Sequence, residues 1–278
     1  VDGFTGGGTD DFDQNVITAN LNISDDASNT GSYYFRRSVI NGNVTIAANG
    51  NASFYEAYQG ENIFNGNVIF NFGGTAAHHI CYTDPSAFEG NVTVNRTVAG
   101  STDVFESGFT SLTGNFSYTN TAGGATLING SNLSTSPIGG TVNVTATGAG
   151  NPTFSMRRIN NNINGGVVTV QNSGTVTITN DTLLLTAFNV NGFTGGGNDD
   201  FDRNVITGTV NISDDAANTG SVYSRRSIYN SDVTYTLNAA ASFFESYQGS
   251  NTYFGDVTLG RTSTASINFA YDNPAFLH

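Results

Sequence analysis

The chain has 278 residues, with 34 glycines and a formal charge of −13, although only 11% of its residues are charged. All nine basic residues are arginine, and they do not form the basic clusters that bind phosphate, which argues against nucleic acid as a partner. The single cysteine, Cys81, excludes an intrachain disulfide framework, and no apolar run is long enough for a transmembrane segment.

The first notable element is an acidic cluster, GGGTDDFD at 6–13, which recurs as GGGNDDFD at 195–202. Closely spaced carboxylates supply the hard oxygen ligands that Ca²⁺ prefers. The phrase resembles part of the glycine-rich nonapeptide repeat that binds calcium in toxin β-rolls, but it occurs here once per long block instead of every nine residues. A calcium loop and a solvated acidic turn are therefore both open interpretations. The candidate calcium ligands are Asp10, Asp11, Asp13, Asp199, Asp200 and Asp202. No other cofactor is predicted.

A short period governs most of the chain. The segments NGNVTI, NGNVIF, EGNVTV and TGNFSY begin at 41, 65, 89 and 113, which are 24 residues apart. The first apolar residue of each such segment falls at 21, 44, 68, 92, 116, 142, 168, 210, 233 and 257, and the gap of 42 indicates an irregular turn near 184–190. Short alternating strands at this spacing predict an all-β fold, a parallel β-helix or β-solenoid of about 22–26 residues per coil, right-handed by the usual crossover chirality.

In such a coil, alternation sends Val44 and Ile46 inward and Asn43 and Thr45 outward. Equivalent strands then stack about 4.8 Å apart, so residues two dozen positions apart lie directly over one another. Eleven or twelve coils are expected. The Asn and Gly residues are expected at corners that need positive φ or bonds from side chain to backbone.

Two groups of side chains on the predicted strands invite a functional reading. Arginine pairs occur at 36–37, 157–158 and 225–226, and Glu56 and Glu245 lie where an ion pair between coils is geometrically possible. An exposed contact of the arginines with an anion or a sugar is the alternative. Recurring aromatic residues are expected to fill the core for the most part, although alternation must expose some of them. An exposed tyrosine can stack on a sugar ring or on a neighbouring filament. The members of the aromatic group are Tyr33, Tyr34, Phe35, Phe54, Tyr55 and Tyr58.

The stretch HHICYTD at 78–84 contains His78, His79, Cys81 and Asp84. Adjacent histidines on a strand point to opposite faces, so they do not easily grip one metal ion together. The matching stretch of the later copy, INFAYDN, has neither histidine nor cysteine. A surface pair is therefore favoured over a zinc or catalytic site.

A long period contains the short one. Shifting the sequence by 189 aligns residues 1–60 with 190–249, and 40 of these 60 pairs are identical. Residues 1–189 thus form one block of about eight coils, and 190–278 begin a second copy continuous with the first. This arrangement is expected of a segment of a longer tandem array.

An enzyme and an ice-binding protein are the alternatives that this fold class raises. Enzyme sites on β-helices need carboxylates or basic groups that converge on one groove, whereas the acids here lie in repeated turns. Ice binding needs a regular Thr-x-Thr row, and the outward pairs are too irregular for one. The chain is therefore not predicted to be an enzyme.

Recurrent phrases carry a family resemblance: DDASNTGSYY at 25–34, YQGENIFNGNVIFN at 58–71 and YQGSNTYFGDVTL at 247–259. They resemble the repeat regions of very large cell-surface proteins of Bacteroidota, including gliding-type adhesins exported by type IX secretion. The resemblance implies an extracellular or cell-surface filament. We therefore predict a structural and adhesive rod whose partners are neighbouring repeats and surface glycans. A carbohydrate-binding or polysaccharide-cleaving β-helix protein is the alternative.

Overall fold

The computed structural model describes residues 1–129, 138–147, 153–157, 160–161, 167–172, 174, 176–179, 181–183, 185–194, 198–239 and 242–278. These residues form an all-β parallel β-solenoid, as predicted. Two long parallel sheets of twelve strands each run along its axis, and a third face carries sheets of five and six short strands.

The first sheet contains the residues that the short period marked as anchors. Its strands are Asp2–Phe4, Leu21–Asp25, Val44–Ala48, Val68–Phe72, Val92–Arg96, Phe116–Asn120, Val142–Ala146, Val167–Asn172, Ala187–Phe193, Thr209–Asp214, Val233–Leu237 and Val257–Arg261.

The second sheet carries the candidate functional side chains. Its strands are Thr9–Asp13, Ser32–Arg36, Ser53–Glu56, His78–His79, Thr102–Val104, Ala125–Asn129, Thr153–Arg157, Val176–Thr179, Asp199–Asp202, Val222–Arg225, Phe243–Glu245 and Ile267–Asn268.

The third face closes each coil with short strands. One sheet consists of Val16–Ile17, Val39–Ile40, Ile63–Phe64, Ser86–Phe88 and Phe109–Leu112. The other consists of Asn160–Asn161, Thr182–Leu183, Val205–Ile206, Ile228–Tyr229, Thr252–Tyr253 and Phe276–Leu277.

The register confirms direct stacking of residues 24 apart. Val68 pairs with Val44 in the preceding coil and with Val92 in the following coil. Val44 and Ile46 are buried, whereas Thr45 is half-buried and Asn43 is exposed. Inward columns of Val, Ile, Phe and Tyr from all three faces meet in one continuous core, and each buried large apolar side chain contributes about 1.5–3 kcal/mol relative to exposure.

One coil departs from the expected spacing. Val168 pairs with Phe188, only 20 residues later, and Phe188 pairs with Val210 after 22 more. The predicted irregular turn is therefore a short coil that anchors on Phe188. Parallel pairing continues through it, so the stack is unbroken where the second copy of the block begins.

The Asn and Gly corners are held by close approach and by side chain to backbone bonds. The backbone N–H of Asn67 donates to Oδ1 of Asn43 (3.0 Å), and the N–H of Asn91 donates to Oδ1 of Asn67 (2.9 Å). Gly66 and Gly90 do not have positive φ, but a Cβ at either would lie 2.6 Å from a carbonyl oxygen of the preceding coil. In the turns after the second sheet, positive φ occurs at Gly60 and Gly249 and also at non-glycine residues. Among the latter are Arg37, Ala57, Gln59, Arg226, Ser246 and Gln248.

Candidate functional site: the outer face of the second sheet

Strand alternation splits the six predicted calcium ligands between two faces. Asp11 points outward and is exposed, and Asp10, its neighbour on the strand, points the other way and is half-buried. In the second copy, Asp199 is fully buried, whereas Asp200 lies on the outer face. The aspartates of each cluster therefore do not point toward a common centre.

Arginines of the following coil hold the outward aspartates. Arg36 donates from Nε and Nη2 to the two carboxylate oxygens of Asp11 (3.1 and 2.5 Å), and Arg37 binds Asp13 in the same bidentate way. The hydrogen bonds from Arg37 are the main cause that lowers the pKa of Asp13. These arginines offer the carboxylates a partner other than calcium, and calcium binding stays a prediction.

The second copy repeats the arrangement. Arg225 binds Asp200 (3.0 and 2.6 Å), and Arg226 binds Asp202 (2.7 and 2.5 Å). Planar guanidinium groups that bind both carboxylate oxygens make the strongest and most directional ion pairs. The remaining arginine pair is at 157–158, and its second residue lies outside the part of the chain that the structure describes.

The expectation that the arginines pair with Glu56 and Glu245 is wrong. Both glutamates point inward and are fully buried, because they alternate with outward residues on their strands. The Glu56 carboxylate accepts hydrogen bonds from Asn62 Nδ2 (2.7 Å), Ser86 Oγ (2.5 Å) and the backbone N–H of Cys81 (2.7 Å). Burial raises the pKa of Glu56 despite these donors.

The same turn recurs at Glu245, where Asn251 Nδ2 and the backbone N–H of Ala270 donate to the carboxylate at 2.8 Å each. These glutamates hold a tight turn in place and do not face solvent. Sequence reasoning missed this role, although the shared spacing of Glu56 to Asn62 and Glu245 to Asn251 could have signalled it.

Outward aromatic rings form a ladder beside the ion pairs. Tyr34 stacks on Tyr55 with ring centroids 5.2 Å apart, and Tyr58 and Tyr82 pack against them from the adjoining turn. All four are half-buried, whereas Tyr33 and the other inward members of the predicted aromatic group lie in the core. The second copy carries the ladder at the same positions of the block, with Tyr223, Phe244, Tyr247 and Tyr271.

A groove opens where the second ladder begins. It encloses about 280 Å³ and is lined by Thr177, Asn198, Asp200, Tyr223, Arg225 and Tyr247. The groove combines ring faces with an ion pair, an amide and a hydroxyl group. Such a combination can bind a small polar molecule that also has an apolar face.

The two adjacent histidines behave differently. His78 is fully buried, stacks on Phe72 and accepts a hydrogen bond at Nδ1 from Arg96 (2.8 Å). The expectation of a surface pair is therefore wrong for His78, because its strand position points inward. Burial and the neighbouring Arg96 charge lower the pKa of His78 to about 3.

His79 points outward and meets two carboxylates. Its Nδ1 lies 2.8 Å from Oε2 of Glu106 and 3.4 Å from Oδ2 of Asp103, and its ring stacks on Tyr55. Burial opposes protonation, but the two carboxylates outweigh it and raise the pKa of His79. Within the described residues this is the one group of three His, Cys, Asp or Glu side chains that could hold a metal ion. The 24-residue register between His79 and Asp103 could have revealed it.

Searches of protein-family models, of curated proteins and of solved structures found no match to this chain. Among the described residues there is no helix with the length and apolar character to cross a membrane.

Proposed function

We propose that this chain is a rod segment of an extracellular or cell-surface filamentous repeat protein, and that it is not an enzyme. The observation that carries the proposal is the unbroken register of the first sheet across the junction between the two blocks, from Val168 to Phe188 to Val210. A junction without a break lets tandem blocks continue as one stiff body. A solenoid grows along one axis, so its length is set by the number of coils.

The lateral surface supports the same role. Columns of Asn and Thr cover the outside of the first sheet, and their side chains bond from coil to coil, as between Asn95 Nδ2 and Asn71 Oδ1 (2.9 Å). A net charge of −13 on a surface with few charged residues keeps such a rod soluble and limits sideways association. Export to the bacterial cell surface and a Bacteroidota adhesin of the gliding type remain part of the proposal through the resemblance of the repeat phrases.

Carbohydrate binding is the second candidate function, and the groove beside Tyr223 favours it. Polysaccharide cleavage finds less support, since the outward carboxylates of Asp200 and Asp202 are both bound by arginines instead of standing across a cleft from one another. A rod with binding grooves on its side would be an adhesive filament and not a catalyst.

The proposal is tested by the length of chains that contain one, two and three blocks. Eight coils separate equivalent strands of the two copies, so electron microscopy should show rods of constant width that lengthen by about 38 Å per block. Immunogold labelling of intact source cells should place the protein on the outside. Compact particles that do not lengthen would overturn the rod, and label confined to the cell interior would overturn the surface location.

A further inference from the structure

An abrupt change in side-chain size creates the groove at the start of the second aromatic ladder. In the register of the second sheet, Thr177 pairs with Asp200, and Asp200 pairs with Tyr223. Two short side chains are thus followed by a ring, which in turn stacks on Phe244 at 5.2 Å. The Tyr223 face that looks toward Asp200 has no second ring stacked on it in the described part of the chain.

Polar groups converge on this face of the half-buried Tyr223 ring. The Arg225 guanidinium is fixed by both oxygens of Asp200 and lies 6.0 Å from the ring centroids of Tyr223 and Tyr247. Its Nη1 also donates to Oε1 of Gln248 (3.1 Å). The ion pair is therefore held rigidly before any ligand arrives, and a preorganised site loses less conformational entropy on binding.

We propose that this groove binds an uncharged saccharide. A pyranose ring has an apolar face of C–H groups that can stack on Tyr223 and a rim of hydroxyl groups that both donate and accept hydrogen bonds. Asp200 supplies acceptors, Arg225 supplies donors, and Asn198 supplies both. Since Asp200 already neutralises Arg225 and the protein carries −13 overall, an acidic polymer is disfavoured. The volume of about 280 Å³ lies just below the range of ~300–1,000 Å³ typical of drug-sized ligands and suits one or two sugar rings.

The first block carries four of the six groove residues, with Thr9 at the position of Asn198. Each of these four has its counterpart 189 residues earlier: Asp11 for Asp200, Tyr34 for Tyr223, Arg36 for Arg225 and Tyr58 for Tyr247. Arg36 binds Asp11 and lies 5.8 Å from the Tyr58 ring centroid. In the proposed rod, grooves would therefore recur about 38 Å apart along one side, and many weak sites on one rod would bind a polysaccharide together. The inference deepens the carbohydrate-binding candidate named under the proposed function, and only the spacing of the grooves rests on the rod.

The test measures binding of neutral gluco-, manno- and galacto-oligosaccharides by calorimetry and saturation-transfer NMR. At least one of these probes should bind the unmodified protein, and the saturation transfer should reach it through aromatic protons. Tyr34→Ala combined with Tyr223→Ala should weaken binding tenfold or more, and Arg225→Gln in the Tyr34→Ala background should do the same. Tyr271→Ala is the matched control, because Tyr271 belongs to the same ladder and is exposed but does not line the groove.

Three results would overturn the inference: no binding of any neutral probe, equal affinity in the double tyrosine variant, or binding confined to sialylated and sulfated oligosaccharides. Circular dichroism of each variant separates loss of the groove from loss of the fold. Electron microscopy of the same samples separates the two proposals, since intact rods without saccharide binding would contradict only the groove. Products of lower mass after incubation would favour a polysaccharide-cleaving protein and would also count against a simple binding site.

Discussion

Replacement of Gly90 by alanine tests whether the coils lie directly on one another. A Cβ at Gly90 would lie 2.6 Å from the carbonyl oxygen of Gly66, so the corner must open by about 0.8 Å to reach ordinary contact at 3.4 Å. The hydrogen bonds on either side, Glu89 N–H to Phe64 O (2.8 Å) and Asn91 N–H to Asn67 Oδ1 (2.9 Å), would then stretch beyond hydrogen-bonding distance. Loss of two such bonds should lower the free energy of unfolding by about 1–3 kcal/mol.

The measurement is urea unfolding followed by circular dichroism, with hydrogen exchange of the amides of residues 89 and 91 as a local readout. Gly7→Ala is the control, because its Cβ would meet nothing closer than Thr30 Oγ1 at 3.8 Å. This control should change stability by no more than about 0.5 kcal/mol, the range for a surface substitution that breaks no contact. If Gly90→Ala unfolds at the same urea concentration as Gly7→Ala, with unchanged exchange at both amides, the inferred contact between coils is refuted.

Three further predictions concern buried and half-buried titratable groups. Burial raises the pKa of Asp199 to about 7, so its stabilising contribution is complete below pH 3.8 and is lost as the pH rises through 7, at most on the order of 4 kcal/mol. Asp199→Asn should therefore flatten the dependence of the free energy of unfolding on pH in this range, measured by urea unfolding, and parallel pH profiles of variant and unmodified protein would contradict it. In an NMR titration His79 should titrate above pH 6.5 and His78 only near pH 3, and His79→Asn identifies the first signal. The contribution of His79 to stability is therefore lost as the pH rises, and that of His78 is lost as the pH falls below 6.5. Matching midpoints for the two histidines would contradict the assignment. Glu56→Gln should lower the free energy of unfolding in urea by about 3 kcal/mol, because the new amide presents an N–H donor to the N–H of Cys81. The exposed substitution Glu61→Gln is the control and should leave stability unchanged. Equal stabilities of the two variants would show that the buried carboxylate is not needed.

Much of the fold could be predicted because identical positions stack. A β-branched residue such as Val68 lies between Val44 and Val92, so the packing that favours it at one coil favours it at the next, and the sequence acquires a visible period. Phe188 escaped this reasoning because its coil is only 20 residues long and is not introduced by a Gly–Asn corner. The period in the sequence shows which residues stack on one another, but it does not show where a turn between strands becomes shorter.

The candidate site was less predictable, because it depends on which face each residue occupies and on diagonal contacts. The sequence shows the aspartates and the arginines, but Arg36 reaches Asp11 by crossing from its own register partner, Asp13, to the next outward position. A calcium loop and an arginine-bound strand can have the same sequence, and they are told apart only when it is known which side chains point to which face of the strand. The groove depends on the step from Asp200 to Tyr223, which becomes visible only when positions 23 apart are placed side by side.

Stacking also accounts for the low content of charged residues. Like charges in adjacent coils would lie about 4.8 Å apart, and at an effective dielectric constant of 20 to 80 they would repel by ~1–3.5 kcal/mol per pair. Among the strand pairings of the described residues no two like charges are directly opposed, whereas Asp13 faces Arg36 and Asp202 faces Arg225. Neutral Asn, Thr and aromatic side chains can stack on copies of themselves, but a charged residue needs an opposite charge or a neutral neighbour in the next coil. A charged residue in the described strands therefore either faces neutral neighbours, as Arg96 does between Phe72 and Asn120, or faces an opposite charge, as in the pairs Asp13–Arg36 and Asp202–Arg225. The second arrangement brings aspartate and arginine together in adjacent coils where each aromatic ladder begins.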